Sequence, residues 1–227
     1  MGLLLIIIGF TLLLKYIKFR NSDYEKRSGN RFFQTLFNKG NYGEFLTYEK
    51  LKMTYPESEI LTNIYVPRLN NSPTEIDLIM IDPTGVYVFE SKNYGGWIFG
   101  SERNKYWTQT FETGHKNQFY NPIWQNQTHI NALKNQFEYL DPDIFKSYIV
   151  FGNRCEIKKL SIDSPNVQVL TSDKVLAAIK KDKEFSGRIL SYMQIKIIFD
   201  TLSEYTLVDQ KTKDAHIKSI NVRQKEI

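Results

Sequence analysis

Residues Thr74 to Asn93 read TEIDLIMIDPTGVYVFESKN, and the fold turns on how this stretch pairs with itself. Asp82-Pro83-Thr84-Gly85 suits a type I turn, with proline at the second position, where its fixed φ fits. Apolar and β-branched residues flank it, so Glu75–Ile81 and Val86–Lys92 are expected to be the two strands of a hairpin. With those four residues as the loop, Ile81 faces Val86, Ile79 faces Val88 and Asp77 faces Glu90. The register holds unless a bulge at Gly85 adds a residue. Directly opposed residues point to one side of a sheet, with Cβ atoms about 5 Å apart. Lys92, two positions beyond Glu90, projects from the same side. Two acids and an amine therefore meet above an apolar floor of Ile79, Ile81, Val86 and Val88. Ile76, Leu78, Met80, Tyr87 and Phe89 take the opposite, core face.

Like charges opposed on neighbouring strands repel, and apolar surroundings solvate them poorly. Lys92 alone leaves one negative charge and several lone pairs uncompensated. Two readings are open: a solvated Asp-Lys-Glu cluster on a surface strand pair, or a pair of ligands to a divalent cation. Apolar residues on both faces favour the second. Oxygen donors suit Mg²⁺ or Mn²⁺ better than zinc.

Outward from the hairpin, Glu44–Thr54 carries Phe45, Leu46, Tyr48 and Leu51 at helical spacing and stops before Pro56. Ile60–Val66 is a strand. Gly95–Gly100 and Tyr106–Phe111 form a further aromatic hairpin. Asn121-Pro122 opens a helix with proline in its first turn, and Ile130, Leu133, Phe137 and Leu140 share one face. Ser147–Phe151 and Val167–Leu170 are strands. Thr171 or Ser172 caps a helix through Lys181, and Ser191–Glu204 is the final helix. Such an order specifies an α/β domain, a mixed central sheet flanked by helices. Gly95-Gly96 precedes no helix, so it is a turn and not a nucleotide loop.

The chain has 227 residues with 41% hydrophobic and 24% charged side chains, which excludes disorder and a polytopic membrane protein. Its 14 Tyr and 15 Phe supply bulk for a core. One cysteine, Cys155, excludes an internal disulfide and a cysteine zinc cluster. Three histidines, at 115, 129 and 216, argue against an all-histidine metal site. His129 is read as a hydrogen-bonding group on a helix face. Trp97, Trp107 and Trp124 are assigned to packing, and Lys116, Lys134, Lys158 and Lys159 to solvated surface. A net charge of +5 permits an anionic partner without specifying one.

Gly2–Leu14 (GLLLIIIGFTLLL) is uncharged, and Tyr16, Ile17 and Phe19 continue it past Lys15 and Lys18. Those lysines can snorkel, so residues 1–19 are read as a single transmembrane anchor. The charge follows the apolar run and no small-residue cleavage site succeeds it, which argues against a removed signal peptide. Six Lys or Arg between positions 15 and 31 place the rest in the cytoplasm, on the inner face of the cell membrane. The expected organisation is an anchor (1–19), a basic juxtamembrane tether with one short helix (20–41), an α/β domain (42–205) and a polar tail (206–227).

These residues resemble the nuclease-related domain family, within the PD-(D/E)XK phosphodiesterases. The resemblance is carried by Gly43-Glu44, Thr74-Glu75-Ile76-Asp77, Gly85 through Glu90-Ser91-Lys92-Asn93, Gly95-Gly96-Trp97, Trp107, Asn121-Pro122, and Gln125 with His129. It implies a restriction-endonuclease-like fold. It implies that Asp77 and Glu90 hold Mg²⁺ or Mn²⁺, with the Ser91 carbonyl as a third ligand, and that Lys92 activates water and stabilises phosphate charge. Glu44 would complete the metal shell directly or through water, and Gln125 would sit beside the site. Two positions depart from the pattern: Ile76 stands where proline often precedes the acid, and His129 where related exonucleases carry tyrosine. No second cluster of acids stands out, so the number of metal ions is open. The implied activity is a membrane-anchored, metal-dependent nuclease acting on nucleic acid, DNA ahead of RNA. The alternative is an inactive nuclease-like module that binds nucleic acid or protein at the membrane.

Overall fold

The central hairpin forms in the expected register. In the computed structural model, which describes residues 2–69, 72–209 and 211–214, Ile81 pairs with Val86 and Ile79 with Val88. Gly85 closes the turn at a φ of 135° without adding a residue. A side chain there would also collide with the Ile144 carbonyl, at 2.7 Å from a built Cβ.

The elements run α1 (Gly2–Asn21), α2 (Tyr24–Ser28), α3 (Phe32–Phe37), α4 (Lys39–Thr54), β1 (Glu59–Pro67), β2 (Pro73–Asp82), β3 (Gly85–Lys92), β4 (Gly96–Ser101), β5 (Tyr106–Thr110) and β6 (Lys116–Tyr120). Then follow α5 (Pro122–Gln136), β7 (Phe145–Phe151), β8 (Cys155–Ser161), β9 (Val167–Thr171), α6 (Val175–Ser186) and α7 (Tyr192–Ser203). The fold is mixed α/β with helices on both faces, but it holds two sheets where one was expected. The first has the order β1-β2-β3-β7-β9, antiparallel as far as β3 and parallel beyond it. The second has the order β6-β5-β4-β8. The aromatic hairpin is β4 and β5 of this second sheet. Its outer strands are half exposed and polar, so they lack the apolar alternation that marks a strand.

Each face of the first sheet has its own apolar cluster. Ile79, Ile81, Val86 and Val88 pack with Ile130, Leu133, Phe137 and Leu140, on and just after α5, and with Ile198 and Leu202 on α7. Leu78, Met80, Tyr87 and Phe89 pack with Phe45, Tyr48 and Leu51 on α4 and with Val175 and Ile179 on α6. Ile76 corrects the expected facing: it joins Ile79 in the first cluster, not Leu78 in the second. The cause is a break in the ladder. Asn63, opposite Asp77, sits at a φ of 52°, and the pairing skips both residues. Sidedness changes across the break.

Side-chain caps start three of the helices. Asn38 starts α4 by accepting from the amides of Gly40 and Asn41, earlier than the apolar periodicity marked. The Asn121 side chain accepts from Ile123 N ahead of Pro122. Ser191 and Gln194 form a capping box on α7. For α6 the expectation was wrong. Thr171 ends β9, and the helix begins at Val175 and runs through Ser186. Residues 24–37, read as a tether with one helix, form two short helices beside α4. Of the expected tail, Gln210 and residues 215–227 lie outside the described residues.

Among the described residues, α1 is the one helix long and apolar enough to cross a membrane. Its outer length is exposed, but Phe19 is 1% exposed, seated against Tyr24, Phe32 and Phe45. Lys18 pairs with Glu49 on α4, and Arg20 with Glu25 on α2.

Candidate active site

The ladder break at Asp77 builds the site. Beyond the end of its ladder with β2, β3 offers the Ser91 amide to the Asp77 carboxylate, N to Oδ2 at 2.7 Å. One turn into α4, Glu44 approaches from the sheet's other flank, and Tyr24 Oη donates to its Oε2 at 3.4 Å. From α5, Gln125 and His129 face the end of β3, because Asn121 fixes where that helix starts. The structure thus brings together Glu44, Asp77, Glu90, Ser91, Lys92 and Gln125.

Lys92 is the hub. Its Nζ donates to Glu90 Oε1 at 2.6 Å and to Gln125 Oε1 at 3.0 Å, with 17% of its side chain exposed. The other oxygen of Glu90, Oε2, lies 3.0 Å from His129 Nε2. A carboxylate only accepts, so Nε2 carries a proton and donates. In a neutral ring Nδ1 then accepts from the Thr74 hydroxyl at 2.8 Å. The reading of His129 as a hydrogen-bonding group fits this geometry.

The acids are not equivalent. Burial pushes the pKa of Glu90 up, but the charge of Lys92 and the hydrogen bonds from His129 and Lys92 outweigh it and hold it below the ordinary value. Burial raises Asp77 well above the usual carboxylate range, the charges of Glu90 and Glu44 raise it further, and Lys92 and the Ser91 amide only partly offset this. Burial and the charges of Glu75 and Glu90 push Glu44 up to about 8. Lys92 stays a cation: burial works against its charge, and Glu90 and Asp77 more than restore it. Asp77 and Glu44 keep some open surface although protein surrounds them, as in a concave site. Glu75 belongs to the same group of acids, and its Oε1 accepts from Tyr65 Oη at 2.5 Å. Nothing in the sequence assigned it a role, although it stands two residues before Asp77.

The donor set fits a hard divalent cation. Three acids, Glu44, Asp77 and Glu90, share one lysine in a volume where two of them hold protons more tightly than in water. Among the described residues, no three His, Cys, Asp or Glu side chains are grouped to hold an ion by themselves. Mg²⁺ suits that pattern, since it usually takes one or two carboxylates and keeps several waters. Glu90 uses two of its roughly four lone-pair sites on Lys92 and His129, and Asp77 uses one on Ser91.

The other sequence candidates lie apart. Trp107 is buried and stacked on Phe151, with centroids 6.3 Å apart. Trp124 donates to the Glu102 carbonyl. His115 is exposed, and His216 lies outside the described residues.

Comparison with known proteins gives the family. Residues 39–152 match the family model described as Nuclease-related domain. An uncharacterised protein of Bacillus anthracis is 32% identical over 184 residues, covering 81% of this chain and 84% of that protein. No solved structure matches.

Proposed function

Because the chain belongs to the nuclease-related domain family, we propose that it is a divalent-cation-dependent nuclease, held on the cytoplasmic face of a membrane by α1. The observation that carries the reading is the surplus of acid: Glu44, Asp77 and Glu90 gather round a single lysine. A stable fold has no use for buried like charges that raise one another's pKa. A site that receives a cation does.

Asp77 and Glu90 would hold the cation, with the Ser91 carbonyl, and Glu44 would act directly or through water. Bound there, Mg²⁺ or Mn²⁺ supplies Lewis acidity and a water of lowered pKa. The remaining roles fall to this chain. Lys92, kept charged by Glu90, offers a fixed positive charge to the phosphate as negative charge builds on it. Gln125 and Glu90 hold that amine between them, so its position is set before substrate arrives. His129, oriented by Thr74, keeps Glu90 ionised and unable to swing away.

Two features support the membrane part. Phe19 lies in the core, so removal of α1 as a signal would strip a packed side chain. Lys and Arg cluster at the domain end of α1, as they do on cytoplasmic flanks.

The test is cleavage of labelled DNA and RNA by the full chain in non-ionic detergent, with Mg²⁺, Mn²⁺ or chelator. Cleavage that requires the cation and disappears in Asp77→Ala and Lys92→Ala supports the reading; cleavage unchanged in both removes it. One observation favours a second reading, a non-catalytic binding module: both oxygens of Glu90 already have partners and no three-ligand cage exists among the described residues. Calorimetry separates the two, since the module would take up no Mg²⁺ or Mn²⁺ through Asp77 and Glu90.

A further inference from the structure

Beside the acids lies a groove of about 550 Å³, between α4 and the C-terminal ends of β3 and β7. Lys39, Lys50, Lys92 and Arg154 line it, and among the described residues no carboxylate does. Lys39 and Arg154 are exposed, and among the described residues neither is in an ion pair. Their spacing is built by Asn93, one residue past Lys92. Asn93 Nδ2 donates to the Lys39 carbonyl at 2.6 Å, and Arg154 Nη2 donates to both Asn93 oxygens at 3.3 Å. Gly152 permits this approach, since a built Cβ would stand 2.6 Å from Asn93 Oδ1. Lys50 is a strut by contrast, its Nζ bonded to the carbonyl and hydroxyl of Ser172. Leu36, Tyr42 and Leu46 add an apolar wall.

We propose that this groove carries one strand of nucleic acid to the acids, its phosphates on Lys39 and Arg154 and its bases along the apolar wall. The inference rests on the nuclease reading and names the form of its substrate. Cations along a backbone path beside an apolar or aromatic wall are what unpaired strands require of a protein. A duplex carries two backbones and hides its bases, so it fits neither the volume nor the wall. Glu90, at 1% exposure, is also out of reach of a phosphate on a rigid double helix. Lys92 touches both groove and acids, so a strand lying in the groove passes the site.

The experiment is fluorescence anisotropy with the full chain in non-ionic detergent, carrying Asp77→Asn to stop cleavage. Probes are a single-stranded oligonucleotide, as DNA and as RNA, and the matching duplex, each over a range of salt. We expect the single strand to bind about tenfold more tightly than the duplex. Lys39→Gln with Arg154→Gln should weaken it at least tenfold and lower the salt slope by about 1.4, near 0.7 per lost phosphate contact. Equal binding of strand and duplex, or binding unmoved by the double variant, overturns the inference. So does a double variant that loses only binding to anionic-lipid vesicles. The two readings fail separately. Loss of cleavage in Asp77→Ala with an inert groove removes the groove alone, whereas a groove effect with cleavage surviving Asp77→Ala removes only the catalytic assignment.

Discussion

Two acids stand five residues apart on β2, Asp82 buried and Asp77 half-buried, and the protein treats them in opposite ways. Asp82, at the turn, accepts from Ser58 Oγ at 2.6 Å, from Thr84 N and Oγ1 at 3.1 and 2.7 Å, and from Lys183 Nζ. Burial pushes its pKa up, but those partners outweigh it and leave it below the ordinary value. Asp77, at the open end of the same strand, has one amide and two neighbouring carboxylates, and its pKa rises. The chain has the means to satisfy a buried carboxylate and withholds them at one end of the hairpin. An acid completed by its own fold is structural. An acid left incomplete is, on the proposed reading, a ligand for a cation.

The largest effect should separate the two on activity. Asp77→Asn is expected to cut nucleic-acid cleavage by at least about 100-fold, the scale seen when one preorganised charge-stabilising group is lost, while the melting temperature holds or rises as a like charge leaves. Asp82→Ala should do the reverse. It leaves Lys183 without its acid and is expected to cost about 3 kcal/mol by denaturant titration, with activity per folded molecule retained. If both variants behave alike, the distinction between the two ends is wrong.

Next comes pH, where the two ends should slope in opposite directions. The pKa of Glu44 rises from 4.5 unfolded to about 8 folded, so the folded state binds more protons across that window. Stability without added metal should therefore fall from about pH 4.5 to 8 and level off above it. Asp82, whose folded pKa lies below 3.8, contributes stability present above that value and lost in acid. A calorimetric pH series on Glu44→Gln should reduce the first slope, to which Asp77 also contributes, and keep the second, a change of several degrees, because 1 kcal/mol moves the melting point by about 2–4 °C at this size. Mg²⁺ or Mn²⁺ should flatten the first slope in the unaltered chain. The smallest effect is expected from Gln125→Ala, which frees one side of Lys92. Turnover should drop several-fold with little change in substrate affinity, in steady-state kinetics.

What was legible in the sequence follows from what each feature depends on. The hairpin register was readable because a proline turn and alternating apolar residues fix it locally. The facing of Ile76 was not, since it depends on Asn63, on another strand, taking a positive φ. Glu90, Lys92 and Gln125 meet as expected because one register and one helix cap place them. Glu75 carries no signal beyond its place two residues before Asp77. The second sheet escaped notice because β6 and β8 are polar and lean on β5 and β4 for their pairing. Lys39 and Arg154 carry no signal either. They come from distant segments and are made neighbours by Asn93, a residue quoted for its place in a motif and not for its bonds.

Phe19 gives α1 a consequence of its own. Because the last turn of that helix is plugged into the aromatic cluster of α2, α3 and α4, the domain, on the proposed anchoring, cannot swivel about α1. Its bearing is set by the roll of the helix, at about 100° per residue. One residue inserted midway along α1 would turn the mouth of the site by more than a quarter circle and leave every contact inside the domain untouched.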